Sequence, residues 1–219
     1  MNPNEAKLIA DMISRPRLAP YLVAASGDLV VALRLYAWNT EASGAFSGAL
    51  QYFEVMLRNV MDDRLATHHG QREWWCAPRL TLNGRAYDEI TKANRGVSCT
   101  ADDVVAALSL GFWVSLLSSG SNYHSRLWWP ALQYAFPGYS ARTPAVLHQK
   151  VDHLRRLRNR VAHCEPIHHR HLAKDFESLL EVIRLISPEA AACLQRLSRI
   201  PEVLGRRAGV LDGGLSPRF

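Results

Sequence analysis

The sequence contains no long hydrophobic run and few cysteines, and each absence excludes a class of protein. No apolar stretch approaches the roughly 18–20 residues that a helix needs to cross a membrane. The N-terminal stretch through Ile13 has an early acidic residue and no long apolar core, so it is unlike a signal peptide. The cysteines are far apart and form no Cys-x-x-Cys pair; they are Cys76, Cys99, Cys164 and Cys193. We therefore expect free thiols in a cytoplasmic protein that does not act at a membrane.

Common catalytic and phosphate-binding motifs are also absent. The sequence has no Gly-x-x-x-x-Gly-Lys-[Ser/Thr], no Gly-x-Gly-x-x-Gly after a strand, no Gly-x-Ser-x-Gly and no His-Glu-x-x-His. Two clusters of histidine, at 68–69 and 168–171, lie beside the helix-ending residues Gly70 and Pro166. Neither cluster has acidic residues at the spacing of metal ligands, so we expect no metal site and no cofactor.

Lysine is scarce, and the positive charge is unevenly distributed. Lys accounts for only four of the 26 basic residues, so Arg, whose planar fork matches phosphate, supplies the other 22. Residues 1–141 carry 12 basic and 12 acidic side chains, whereas residues 142–219 carry 14 basic and 8 acidic ones. The whole net charge of +6 therefore lies in the last third. This distribution favours a polyanionic partner there, although a solvated basic face has the same composition.

Apolar periodicity and capping residues predict an all-α protein, an irregular helical bundle. Strand signals are poor, because alternating runs flanked by turn residues do not occur. We expect one domain over residues 1–205, followed by a basic, flexible tail over 206–219. The predicted helices cover residues 4–13, 26–38, 40–69, 83–95, 100–117, 123–136, 143–164, 171–186 and 187–197.

The helix predicted at 143–164 has two distinct faces. Apolar residues recur on one side and predict a core seam; they are Leu147, Val151, Leu154, Leu157 and Val161. Polar residues fall together nearly opposite; they are Asp152, Arg156, Asn159 and His163. Arg156, Asn159 and His163 thus present Arg, Asn and His together on one face of this helix, and Arg158 lies at its border with the seam.

Arginine and histidine on one edge are sufficient for RNA cleavage without a metal. Histidine transfers protons near neutral pH, either from the 2′-hydroxyl or to the leaving oxygen. Arginine neutralises the charge that develops on the phosphate. Asn159 is a poor helix former inside a helix, which indicates a hydrogen-bonding role. The alternative is a solvated basic face that ends in a histidine favoured by the helix dipole.

This segment resembles the signature of the HEPN superfamily of helical RNA-acting proteins. Arg158 and His163 fit Arg-x4-His, and residues 157–167 fit Leu-Arg-Asn-x-x-Ala-His-x-Glu-Pro-Ile of bacterial abortive-infection (Abi-like) proteins. Cys164 departs from the family, which often has a second histidine there. The resemblance covers about residues 25–205. The other similar segments are Tyr36–Asn39, Phe53–Asn59, Trp74–Trp75, Leu108–Val114, Leu127–Leu132 and Ser198–Val203.

The resemblance implies a metal-independent endoribonuclease that leaves a 2′,3′-cyclic phosphate, acting as a toxin in abortive infection or a toxin–antitoxin system. It also implies a two-fold homodimer and, for some members, an RNA or protein antitoxin. Arg158, Asn159 and His163 would be the catalytic residues. Because Arg158 and His163 lie about 140° apart on one helix, a partner subunit would complete the site.

Two further sets of residues are candidates for support and for RNA contact. Glu54, Arg58 and Asn59 are expected to support the catalytic residues. The alternatives are that Arg58 and Asn59 contact RNA, or that all three belong to an ordinary scaffold helix. Arg155, Arg156 and Arg160 are expected to bind RNA. The competing hypothesis is a non-catalytic helical module that binds RNA or protein. A nucleotide-binding subunit paired with a nucleotidyltransferase fits less well, because the Abi-like segments lie outside that branch of the superfamily.

Overall fold

The computed structural model is all-α, as predicted, with 73% of the chain in helices. It describes residues 3–78, 80–95 and 100–219, and these ranges contain no strand. Numbered α1 to α11 in chain order, the α-helices of these ranges are Pro3–Ile13, Arg15–Ala24, Leu29–His69, Gly84–Ala93, Ala101–Ala107, Leu110–Leu116, Ala145–Ala162, Leu172–Ile186, Pro188–Leu197, Ile200–Gly205 and Arg207–Leu211.

The chain forms two compact units, each built from separate stretches of sequence. The first unit comprises Met1–Ala49, Leu157–Glu177 and Leu197–Phe219, and the second comprises Leu50–Arg156 and Ser178–Arg196. Both α3 and α7 contribute residues to each unit. The single domain over residues 1–205 stays a prediction. Within the predicted tail, α11 is formed and Val210 is buried in the structure.

The helix α3 is continuous over 41 residues, where the sequence predicted a break between residues 38 and 40. It begins after Asp28, whose carboxylate accepts hydrogen bonds from two amides of the first turn at 2.8 and 3.0 Å. The predicted cap, Ser26, has a left-handed backbone instead (φ 52°). Thr40 fits the helix interior because its hydroxyl donates to the Tyr36 carbonyl at 3.1 Å.

The single helix predicted over residues 100–117 is wrong, because α5 ends at Ala107 and α6 begins at Leu110. Thr100 and Asp103 form the predicted capping box at the start of α5. Leu108 is extended (φ −67°, ψ 132°), and the Ser109 hydroxyl accepts from the Phe112 amide to cap α6. The segment predicted as a helix at 123–136 is also irregular; around Pro130 it forms one π-helical turn and a short 3₁₀ helix.

The prolines that open the later helices lie where the sequence predicts them. α7 begins directly after Pro144, and α9 begins at Pro188, where the Ser187 hydroxyl accepts from the Ala190 amide at 3.1 Å. The core seam of α7 is confirmed from Leu147 to Leu157, since its first four residues are fully buried and Val161 is half-buried. Each buried side chain of this kind contributes roughly 1.5–3 kcal/mol to stability.

Among the described residues, no single helix is both long enough and apolar enough to cross a membrane. The bent pair of α2 and α3 meets the criteria of length and composition only when the two helices are taken together.

Candidate active site

The candidate catalytic residues lie at the C-terminal end of α7, in the first unit. There the Glu165 amide donates to the Arg160 carbonyl at 2.8 Å, and the Cys164 amide donates to the Val161 carbonyl at 3.1 Å. This is the Schellman pattern of a helix end, in which the penultimate position adopts a left-handed backbone. Cys164 occupies that position with φ 52°. The turn leaves His163 exposed at the point where the chain leaves the helix.

Residues from distant parts of the chain hold this turn in place. The Arg17 guanidinium donates to the Cys164 carbonyl at 2.7 Å. The side-chain oxygen of Asn39, a buried residue of α3, accepts from the amides of Ile167 and His168 at 2.8 and 3.0 Å. The backbone on both sides of Pro166 is therefore fixed by polar contacts, which gives His163 a defined position.

The three candidate catalytic side chains differ in exposure. His163 is exposed, whereas Arg158 and Asn159 are half-buried. The backbone carbonyl of Asn159 accepts from the His163 amide at 2.9 Å, so the last helical hydrogen bond joins two of the three. An exposed imidazole at a rigid helix end, one and a half turns beyond an arginine, is suited to proton transfer beside a bound anion.

Two of the three predicted RNA-binding arginines share a single carboxylate. Asp152 accepts from Arg155 at 2.7 and 2.8 Å and from Arg156 at 2.6 Å. Burial alone would raise the pKa of Asp152, but these hydrogen bonds and charges outweigh it and lower that pKa. The group Asp152–Arg155–Arg156 thus carries one net positive charge rather than two. Arg156 is its most exposed member.

Arg160 has a structural contact in addition to its predicted role with RNA. Its Nε and Nη2 donate to the Pro166 carbonyl at 3.2 and 3.0 Å. Nη1 lies 3.5 Å from a carboxylate oxygen of Glu165. Arg160 therefore supports the turn that follows His163.

The predicted supporting residues, Glu54, Arg58 and Asn59, belong to the second unit, whereas Arg158, Asn159 and His163 belong to the first. Arg58 donates to the Asn59 side chain at 3.2 Å and to the Ala106 carbonyl at 3.3 Å. Glu54 is half-buried. Arg58 and Asn59 line a recess of about 480 Å³ in this unit.

Sequence reasoning missed an ion-pair cluster at the same recess. Asp62 is buried and accepts from the Trp74 indole at 2.9 Å and from Arg72 at 2.5 Å. Arg72 also pairs with Asp102. The sequence did contain a signal for this cluster: Asp62 lies next to Met61 in the apolar pattern of α3, and a carboxylate that is buried there requires partners.

The described residues bring no three His, Cys, Asp or Glu side chains into a group that could hold a metal ion. His68 and His69 stack edge to face at 4.8 Å, and burial together with the neighbouring His68 lowers the pKa of His69. Cys76, Cys164 and Cys193 are free and exposed, whereas Cys99 lies outside the described residues.

Comparison of the chain with family models, with curated proteins and with solved structures finds no match.

Proposed function

We propose that the chain is a metal-independent endoribonuclease of the HEPN, Abi-like type. The observation that carries this proposal is the exposed His163, which directly follows the last residue of α7, the helix that holds Arg158. The contacts of Arg17 and Asn39 with the backbone that follows His163 support the proposal, because they hold the turn beside this imidazole in place. The resemblance of residues 157–167 supports the same assignment. The biological setting we propose is bacterial abortive infection or a toxin–antitoxin system.

The proposed reaction uses the 2′-hydroxyl of the RNA as the nucleophile. An imidazole accepts the 2′-hydroxyl proton while the 2′-oxygen forms a bond to phosphorus, and the 5′-oxygen leaves with a proton from an acid. The Arg158 guanidinium binds the oxygens of the crowded phosphorane, which carries an additional negative charge. Asn159 donates a hydrogen bond to the same phosphate. The products are a 2′,3′-cyclic phosphate and a 5′-hydroxyl.

On an ideal helix, the side chains of Arg158 and His163 in one copy would point in different directions. Five residues advance about 7.5 Å along a helix and about 140° around it, so one copy cannot easily direct both side chains at one phosphate. We therefore propose a two-fold homodimer in which each copy completes the site of the other. Light scattering at micromolar concentration should give twice the mass of one chain. A monomer with full activity would contradict this arrangement.

The decisive experiment compares His163→Ala with His153→Ala, an exposed histidine on the same helix. Loss of an acid–base catalyst lowers a rate by about 10²–10⁴-fold, so His163→Ala should be inactive. Its stability should change by no more than about 0.5 kcal/mol, as at an ordinary surface position. His153→Ala should cleave like the wild type. RNA cleavage is measured by product termini, with EDTA present, and DNA serves as a substrate that lacks the nucleophile.

The arginine is tested by two substitutions of different chemistry. Arg158→Ala should be inactive, and Arg158→Lys should recover little activity, because a point charge does not replace the two-pronged guanidinium. Growth arrest on expression should follow the same order. If His163→Ala cleaves RNA as fast as the wild type, the non-catalytic RNA- or protein-binding module becomes the better assignment.

A further inference from the structure

A polar recess of about 410 Å³ lies in the first unit, and we call it the His168 recess. Its lining residues include Trp38, His168, His169, Arg170, His171 and Arg207. No acidic residue lines it in the part of the chain that the structure describes. The charge of Arg170 is balanced by Asp175, which accepts from it at 2.8 and 3.0 Å. The net charge of the lining therefore comes from Arg207, together with any protonated histidine.

Arg207 is exposed and has no carboxylate partner among the described residues. Its guanidinium carbon lies 5.2 Å from the centre of the Trp38 ring, which holds the side chain over an apolar surface. Trp38 is itself fixed, because its indole donates to the Val203 carbonyl at 3.0 Å. The neighbouring Arg206, by contrast, is paired with a buried carboxylate, Glu41. Arg207 is thus a positioned cation whose charge faces solvent.

A helix terminus adds to the positive field of the recess. Leu172 and Ala173, the first two residues of α8, are part of the lining. The N-terminus of a helix carries a partial positive charge and amide groups that favour an anion. The helix α8 is 15 residues long, and the carboxylate in its first turn, Asp175, is paired with Arg170.

An independent observation points to a ligand at this position. His168 is only 7% exposed, and its Nε2 is buried without a hydrogen-bond partner among the described residues. The His168 ring packs against Tyr21, with the ring centres 4.8 Å apart, and the His168 backbone amide donates to Asn39. Buried polar atoms without partners are rare in native proteins. A ligand oxygen that reaches into the recess would supply the missing partner.

The pKa of His168 reflects burial as well as nearby positive charge. Burial first, and then the charges of His169 and Arg207, lower this pKa to about 4. The ring is therefore neutral at pH 7, and in the tautomer with hydrogen on Nε2 it donates a hydrogen bond.

We propose that the His168 recess binds a phosphate group. Arg207 supplies the counter-charge, the first turn of α8 faces the oxygens, and Nε2 of His168 donates to one of them. The volume of the recess exceeds that of a single oxyanion and suits a phosphate attached to a nucleoside. The phosphate could be that of a free nucleotide or of an RNA end. The proposal does not depend on RNA cleavage by Arg158 and His163.

The first experiment titrates the full-length protein with inorganic phosphate at constant ionic strength. Heteronuclear NMR of the histidine rings should show a saturable shift of the His168 signal, which His168→Phe identifies by its absence. Calorimetry should show at least tenfold weaker phosphate binding for Arg207→Met and His168→Phe. These substitutions retain the stem over Trp38 and the ring against Tyr21, and thermal unfolding checks that both variants fold.

The matched control is Arg199→Ala, which removes an exposed arginine whose Nε lies 3.5 Å from a carboxylate oxygen of Glu202. It should bind phosphate like the wild type. Equal weakening in Arg199→Ala and Arg207→Met would reduce the effect to general electrostatics and overturn the proposal. A His168 signal that does not respond to phosphate would overturn it as well.

A second experiment distinguishes the two sources of the phosphate. The ligands are AMP, adenosine, and 2′-O-methyl RNA with a 5′-phosphate or a 5′-hydroxyl, which cannot be cleaved through the 2′-oxygen. Tighter binding of the phosphorylated RNA than of AMP, lost in Arg207→Met, identifies an RNA end. Equal binding of AMP and phosphorylated RNA identifies a free nucleotide. Adenosine binding as tightly as AMP would contradict a phosphate site, whatever the outcome of His163→Ala in the cleavage assay.

Discussion

The arginines that lie against α3 and α8 differ from those on α7 in how their charge is neutralised. Arg206 and Arg170 each bind a buried carboxylate, Glu41 and Asp175, and are largely buried themselves. On α7, Arg155 and Arg156 share Asp152, and Arg156 remains mostly exposed. The arginines that give the last third its net charge of +6 therefore differ in how accessible they are to an external anion such as RNA.

This difference limits what a charge count can predict about RNA binding. A buried ion pair has no net charge with which to attract RNA. In the first unit each such pair neutralises a carboxylate that would otherwise be buried without a partner. A shared, exposed pair keeps part of its charge available to phosphate. Substitutions of the two kinds should therefore separate stability from binding.

The largest effect is expected for Arg206→Ala. Its partner Glu41 has a side chain that is 2% exposed, and they meet at 2.5 Å. Removing one partner of a buried pair costs about 3–5 kcal/mol, because the remaining charge is left without compensation. Denaturant unfolding measures this loss, with Arg207→Ala, its exposed neighbour, as the control that should lose much less.

A compensating variant sharpens this result. Arg206→Ala combined with Glu41→Gln should recover part of the lost stability, because a neutral amide costs less to bury than an unpaired carboxylate. If the double variant is as unstable as Arg206→Ala, the loss comes from packing and from the Arg206 contact with the Ser216 carbonyl at 2.6 Å.

The next effect concerns the pH dependence of stability at His168. Its pKa is lowered to about 4 by burial and by the positive neighbours His169 and Arg207. The unfolded chain binds this proton near pH 6.5 and the folded chain only near pH 4, so stability is lost as pH falls between these values. The expected loss is about 2–3 kcal/mol. Unfolding in phosphate-free buffer should show that the wild type loses about 2–3 kcal/mol more than His168→Phe over this pH range, because other groups with a lowered pKa, such as His69, titrate in both proteins.

Local signals predicted much of the fold but not the continuity of α3. The Ser187-Pro188 pair and the Thr100–Asp103 box are short-range patterns, and the helices begin where they indicate. Asn39 and Thr40 also look like a helix start, because their side chains compete for backbone groups. In the structure the Asn39 side chain instead binds the backbone of Ile167, 128 residues away. A contact at that separation leaves no local pattern.

The same limit applies to the candidate site. The polar and apolar faces of α7 follow from helical periodicity, and the pairs of Asp152 are three and four residues apart on that helix. The contact between Arg17 and the Cys164 carbonyl spans 147 residues. The His168 recess is lined by residues of α3, of the start of α8 and of α11. The histidine cluster is visible in the sequence, but the residues that the fold brings next to it are not.

A smaller effect is expected for the arginines on α7. Each contact with the phosphate of single-stranded RNA adds about 0.7 to the slope of log affinity against log salt. Arg155→Ala with Arg156→Ala should therefore lower the slope by about 0.7–1.4, depending on how much Asp152 neutralises. Asp152→Asn should strengthen RNA binding at low salt. If the slope of log affinity against log salt is unchanged in the double variant, these arginines do not contact RNA and the surface is an ordinary solvated basic face.

The smallest effect is expected at Cys164, the residue that departs from the resembled family. Its φ of 52° is left-handed, a conformation that costs a residue with a Cβ roughly 1–2 kcal/mol relative to glycine. Glycine also adds freedom to the unfolded chain, which offsets part of this gain. Cys164→Gly should therefore stabilise the protein by about 0.5–1 kcal/mol, because glycine favours this position of a helix end. Thermal unfolding measures the gain, and Cys164→Val, a β-branched residue, should lose stability. RNA cleavage by Cys164→Gly should match the wild type, because the proposed proton transfer belongs to His163; a large fall in rate would assign the exposed thiol a part in the chemistry.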